Sequence, residues 1–473
     1  MVSQSLLLLF PALALASITI EDPSDVIKPK WWTKDNALLA DYDIAMISTQ
    51  PSDIQATHKY DGSSSSASVD HVTWSATAND TSVLLVSNGA EFNGSYIDFK
   101  KSGYSTNLNT ASFWGFNAAI NVANASTAYL DNVNVTVHNG AAQIYSYGTD
   151  TVVYVNNTWL YSSGPVSHGL YASGNGTIIG HNLQVYSGGY RSSSFSGDSP
   201  AGYIYVYDSV AHASGIGSAT FYSLGLIDAH NVVSVSEKGP VVFSDGAQTT
   251  NLTNCDATAG LLGGVVIFSS SVRNSGAELN LVNTKFTTLG KTVPGLWFGN
   301  IIANANLNNV QLNTDSGILV VANYSQVTQD FDYYADYDDN TSLSPAEVTL
   351  TVTESDLVGD LVAYNKSVIS WTLNDYSTWT GSAYSGYGQA YFDVALDATS
   401  NWTLTRDTTL QNFTDSLTSL SNIHSNGHNI YYNSSLNSWL GGKTVRLSGG
   451  GVAKPISSSH SRVRRGLTVG RQL

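Results

Sequence analysis

The residues with the clearest chemical spacing lie between 336 and 347. In Asp336-Tyr-Asp338-Asp-Asn340-Thr-Ser342-Leu-Ser344-Pro-Ala-Glu347, oxygen-bearing side chains fall at positions 1, 3, 5, 9 and 12 of a calcium-loop pattern, with Leu343 at the apolar position 8. Hard divalent cations take such oxygen sets. Asp336, Asp338, Asn340, Ser344 and Glu347 are therefore candidate calcium ligands, and calcium is the one cofactor the sequence suggests. Two features oppose that reading. Position 6, where the loop needs Gly, is Thr341, and strand-like Val348-Thr-Leu-Thr follows where a helix belongs. Asn340 also heads a glycosylation sequon, and a glycan there conflicts with ligation. The plainer reading of residues 324–345 is a solvated acidic insert.

Other chemistry is less concentrated. Ten Trp and 27 Tyr are many for 473 residues. Exposed rows of such rings would make sugar-stacking platforms, and core stacks would leave the same sequence. Ser is abundant, yet no G-x-S-x-G elbow leads from a strand into a helix.

The elements that must position these groups are set by a repeat. Asn132, Asn157, Asn182, Asp208, Asn231, Asn254, Asn283 and Asn309 each head a similar short unit, at spacings of 25, 25, 26, 23, 23, 29 and 26. A β-prone run precedes each, and a second apolar run follows. Coils of about 23–26 residues with two or three short strands make an all-β, right-handed parallel β-helix. Asn suits the fixed phase because it tolerates a left-handed turn and its amide can bond to the same residue one coil away. The pattern lapses after Asn323, resumes at 346–354, and puts Glu354, Asp375 and Asp397 in similar phase. His181 and His230 each precede a phased turn residue, two coils apart. At roughly 9–10 Å, that is too far for one zinc ion.

The expected organisation is a signal peptide over 1–16, an irregular N-terminal cap over 17–70, the β-helix over 71–440, and a basic Ser/Arg-rich tail over 441–473. Caps are required at both ends because an open coil is an exposed sheet edge. Leu6–Phe10 and Ala14-Leu-Ala16 form an apolar run with an A-x-A cleavage pattern, too short to span a bilayer. The predicted location is secreted and extracellular. Arg464-Arg465 reads either as part of a frayed tail or as a dibasic processing site. Cys255 is the only cysteine, so stability must come from packing and backbone pairing. Thirteen sequons fit a glycoprotein, at Asn79, Asn93, Asn124, Asn134, Asn156, Asn175, Asn251, Asn323, Asn340, Asn365, Asn401, Asn412 and Asn433. The net charge of −16 disfavours nucleic acid as a partner and repels anionic polymers unless a cation bridges them.

A resemblance follows from Gly169-Leu-Tyr-Ala-Ser-Gly-Asn-Gly-Thr177, Leu357-Val-Gly-Asp-Leu361, Ser377-Thr-Trp-Thr-Gly-Ser382, Ser400-Asn-Trp-Thr-Leu-Thr405 and Leu420-Ser-Asn-Ile-His-Ser-Asn-Gly-His-Asn-Ile430. Residues 127–440 resemble adhesin-like secreted β-helix proteins of the pectate-lyase-like superfold. The resemblance implies fold and secretion and assigns no catalytic residue. Galacturonan hydrolases of that fold share an N-T-D, D-D, G-H-G, R-I-K set. Here Asn313-Thr-Asp315 and Asp338-Asp339 are present and the rest is missing. Arg191, Arg273 and Arg406 are the only arginines between 31 and 440, and none sits in a pectate-lyase-like set.

The leading expectation is a non-catalytic extracellular or cell-surface protein of adhesin or carbohydrate-binding type, with glycans or cell-wall components as partners. The alternative is a secreted enzyme using a β-helix groove, with catalytic residues unassigned. It would be a polysaccharide lyase or hydrolase, or a cyclase or isomerase that acts on a small molecule by shape.

Overall fold

The computed structural model describes residues 53–138, 142–324 and 343–456. They wind into a right-handed parallel β-helix of about 15 turns, with only 2% helix. Successive turns each add one short strand to a 13-stranded sheet that runs from Gln55–Asp61 to Ala383–Ser385, and the last turns pair in separate four-stranded sheets. The rest of the turn forms a longer wall that bends once. Register is continuous over long stretches: Leu170 pairs with Ile144 on one side and Phe195 on the other.

The bend explains why one residue type recurs. Thr177–Ser187 alternates buried and exposed residues, then breaks phase at His181-Asn182 and alternates again. Asn182 carries φ 54°, which turns the strand without ending it. The eight phased residues from Asn132 to Asn309 all have φ between 50° and 55°. Their side chains form the expected ladder. Asn182 Nδ2 donates to Asn157 Oδ1 at 2.8 Å, Asn231 to Asp208 at 2.7 Å, and Asn254 to Asn231 at 3.1 Å. Asn283 and Asn309 continue it at 3.2 and 2.9 Å. The same left-handed position extends to His71, Tyr96, Glu354 and Asp375. Asp397 takes part differently, its Oδ2 accepting from the Asp375 backbone N–H at 2.8 Å.

Inward rows fill the bore with matched apolar side chains. Val153, Ile178, Ile204 and Ile227 succeed one another across four coils, and all are fully buried. Near the C-terminal end the inward row on the other leg of the wall carries indoles, with Trp379 and Trp402 stacked at 4.7 Å. Cys255 is buried without a disulfide partner, its Sγ facing the Thr253 carbonyl at 3.4 Å.

The ends differ from expectation. Parallel pairing begins at Gln55, inside the segment read as an irregular cap. Gln55–Asp61 and Ser66–Ala76 alternate half-buried and exposed residues, a weak signal because one inner face is only partly covered. A helix, Leu108–Trp114, interrupts the third coil. Asn107 caps it by accepting from the Thr110 N–H, and Gly115 at φ 67° ends it. At the far end, strands continue past 440 to Val452–Pro455, which pairs antiparallel with Val445–Arg446. That reversal closes the last parallel edge.

Candidate functional site

The acidic constellation is not assembled among the described residues. Asp336, Asp338 and Asn340 lie outside them. Glu347 begins the strand Glu347–Thr353, paired with Ile302 and Val368. Its carboxylate accepts from Arg273 Nη1 at 2.8 Å, and the Ser344 N–H donates to Asn300 Oδ1 at 2.9 Å. The solenoid wall thus occupies the intended twelfth ligand. Among the described residues no three His, Cys, Asp or Glu side chains come together as a metal site. Of the acceptor asparagines, Asn323 is only 5% exposed and offers a folded chain no site for a glycan. Asn79, Asn124, Asn175, Asn365, Asn401 and Asn412 are exposed.

The three arginines each meet a carboxylate that sequence spacing did not pair with them. Besides Arg273 and Glu347, Arg406 lies 3.4 Å from buried Asp360 and covers the Tyr384 ring at 4.5 Å. Burial raises the Asp360 pKa, against the pull of Arg406. Arg191 acts on Asp198 and His168. Asp315 is exposed, and Asp338 and Asp339 lie outside the described residues. His181 and His230 stand two coils apart with Tyr207 between them, its ring 4.4 and 5.2 Å from theirs.

Two surfaces collect chemistry. The first is a strip on the second leg of the long wall. Trp159, Gln184, Val210 and Val233 occupy one outward row on successive coils. Tyr161, Tyr186, His212 and Val235 occupy the row beside it. Trp159 is 41% exposed, Val210 53% and Val233 52%. Trp159 stacks on Tyr161 of its own strand at 5.8 Å, and Tyr161 stacks along the axis on Tyr186 of the next coil at 5.2 Å. On the first leg Tyr129 and Tyr154 stack at 4.9 Å, 4° from parallel. Stacking leaves mainly ring edges and end faces for a ligand. Of the eight described Trp, Trp114, Trp297, Trp371, Trp379 and Trp402 are buried, so most serve the interior. Trp31 and Trp32 lie outside the described residues.

The second surface is the outer face of the short sheet. Its outward row runs Tyr145, Tyr171, Ser196, Tyr222, Phe243 over successive coils. Tyr145 donates to the Ser112 carbonyl at 2.6 Å, which ties it to the helix Leu108–Trp114. Tyr171 donates to Asp198 Oδ2, while Asp198 Oδ1 accepts from the Ser199 N–H at 2.7 Å. The His168 ring lies 4.2 Å from that of Tyr171, and its Nδ1 accepts from the Ser193 N–H at 3.0 Å. Burial pushes Asp198 up to about 6 against its hydrogen bonds. Burial, with help from Arg191, pushes His168 down to about 3. Asp245 acts on Asp198 from farther along the face and is itself raised by burial. Below about pH 6 Asp198 keeps its proton while the nearby imidazole stays neutral, and such groups can donate or relay protons, or simply present matched donors and acceptors.

The chain matches no family model, no curated protein and no solved structure. Function is therefore read from these surfaces. Sequence reasoning missed both. The strip had a signal, apolar residues at outward phase such as Val210 and Val233. The cluster had none, because its members come from three coils and the turns between them.

Proposed function

We propose that the protein is a secreted, glycosylated extracellular β-helix protein of adhesin-like character. It binds glycans or cell-wall polymers without cleaving them. The observation that carries this reading is the exposed strip from Trp159 to Val233 and Val235. Contiguous apolar and aromatic surface on a soluble wall marks a binding face. Rows along the solenoid axis suit an extended polymer, with ring faces and edges for sugar C–H groups and Gln184, His212 and tyrosine hydroxyls for its polar groups. The A-x-A leader and the exposed sequons support passage through the secretory route. The test is retention on insoluble wall polysaccharides. Trp159→Ala combined with Tyr186→Ala should lower retention by about tenfold, with unchanged circular dichroism. Equal retention by the variant would overturn the reading.

A second reading is favoured by one observation, the buried Asp198 beside Tyr171 and His168. It is a secreted lyase or hydrolase, or a small-molecule cyclase or isomerase, working on the outer face of the short sheet. Reducing ends or unsaturated products released from wall glycans by purified protein would select the polysaccharide form over the non-catalytic one.

A further inference from the structure

We propose that the first leg of the long wall carries a second glycan-binding strip, so that one solenoid holds two neutral polymer chains and bridges them. The inference rests on the glycan-binding reading of the Trp159 strip. Tyr129, Tyr154, Ile179 and Tyr205 occupy one outward row on four successive coils. Val152, Thr177, Tyr203 and Leu226 occupy the row beside it. Val153, Ile178, Ile204 and Ile227, which alternate with them, are fully buried, so strand alternation aims both rows at solvent. Tyr129 is 44% exposed, and the other seven are half-buried.

The second strip lies on the same coils as the first. Tyr154 shares the strand Val152–Ser162 with Trp159, and Ile179 shares Thr177–Ser187 with Gln184. Five residues and one bend separate each pair, roughly 13–16 Å at the rise of a strand, which is wider than one extended sugar chain. Both legs pack inward on one core, so the bend turns their outer faces apart, with the amide ladder of Asn157 and Asn182 between them. Covering both strips therefore takes two chains. The charge pattern gives their class. Neither strip holds a Lys, Arg, Asp or Glu over these coils, and each runs on into a carboxylate, Asp228 on the first leg and Asp256 on the second. Lys285, next in that second row, is already paired with Asp256 at 3.0 Å. A polyuronate would meet repulsion there without a free counter-charge. Ile179, Leu226 and the tyrosine rings offer apolar surface to sugar C–H groups, and the tyrosine hydroxyls serve the polar ones. Polar tips on an uncharged apolar row fit a neutral, polyhydroxylated chain.

The test uses the full chain from a host that attaches no N-linked glycan, because Asn156 heads a sequon two residues from Tyr154. Calorimetric titration with short β-linked oligomers of glucose, mannose and N-acetylglucosamine should give two sites per chain for at least one of them. Oligogalacturonate, the anionic probe, should bind at least about tenfold more weakly, and equal binding overturns the neutral class. Tyr154→Ala with Tyr205→Ala should weaken one site by about tenfold or more, and Trp159→Ala with Tyr186→Ala the other. Light scattering from a dilute soluble polymer of the same sugar should rise with the unmodified sequence and with neither double variant, since a bridge needs both strips. A single site removed by the Trp159 pair overturns the second strip and leaves the glycan-binding reading standing. A single site removed by the Tyr154 pair overturns bridging and the Trp159 reading together. No saturable neutral oligomer overturns the proposal, and retention on insoluble polymers then judges the Trp159 strip by itself. Should the Tyr154 pair not fold, Tyr203→Phe with Tyr205→Phe keeps the rings and removes two hydroxyls. A loss of about threefold or more at one of two sites supports the second strip, and unchanged affinity overturns it.

Discussion

Asp198 and His168 sit on adjacent coils of one face, and burial moves their protons in opposite senses. Asp198 is raised from 3.8 to about 6, so between those values the folded state holds a proton that the unfolded chain releases. Stability from this group is present below about pH 4 and lost as pH rises to about 6, at a cost of about 3 kcal/mol. His168 is lowered from 6.5 to about 3, so the unfolded chain takes up a proton that the folded state refuses. Its contribution is present above pH 6.5 and is lost as pH falls towards 3. Over pH 4–6 the two trends oppose. Asp198→Asn should therefore give a melting temperature that rises with pH across this window, and His168→Gln one that falls. Parallel profiles in the two variants would contradict the assignment. No spacing rule links Asp198 to His168, because their meeting depends on turn lengths that only the folded coil reveals. Cys255 was more legible. As the only cysteine it has no disulfide partner within the chain, and it is buried with its pKa pushed up to about 11 by desolvation.

At the scale of the element, the turn ladder was readable because backbone strain and residue type coincide. A left-handed residue costs a side chain roughly 1–2 kcal/mol, less for Asn and Asp, and the chain repeats Asn at nearly every bend. Asn254 shows what the position contributes. It holds φ 55°, donates to Asn231 and accepts from Asn283. Asn254→Ala should lower stability by about 1–2 kcal/mol. Asn254→Gly keeps the turn and loses only the exposed amide bonds, so it should cost less. Chemical denaturation of the two variants checks the order, and an Ala variant as stable as the Gly one would remove strain from the explanation. His71 and Tyr96 hold the same bend without the Asn cue. Their rings stack at 4.7 Å, replacing the amide ladder with a ring pair. That exchange is why the first coils escaped the periodicity and the solenoid seemed to start at residue 71.

Across the whole molecule, what was legible is what repeats. Eight phased residues and two apolar runs per period suffice for handed coiling and coil length, since each turn solves the same packing problem as its neighbours. What occurs once was not legible: the helix Leu108–Trp114, the antiparallel closure at Val445–Arg446, and the meeting of His168, Tyr171 and Asp198. Uniform parallel pairing also has a mechanical consequence. The strands of a rung bond only to the rungs above and below, so tension applied between the two ends peels the rod one turn at a time, without shearing a whole sheet. Pulled in a force spectrometer by its termini, the protein should yield in many small steps. Each should release about 25 residues, or about 80 Å of chain at the extended length per residue. The rupture forces should be low and similar, as for opening a zip. A single high-force event releasing most of the contour would mean that the turns fail together. Such a rod gives way by degrees, and a fibre built on it would absorb load through gradual lengthening.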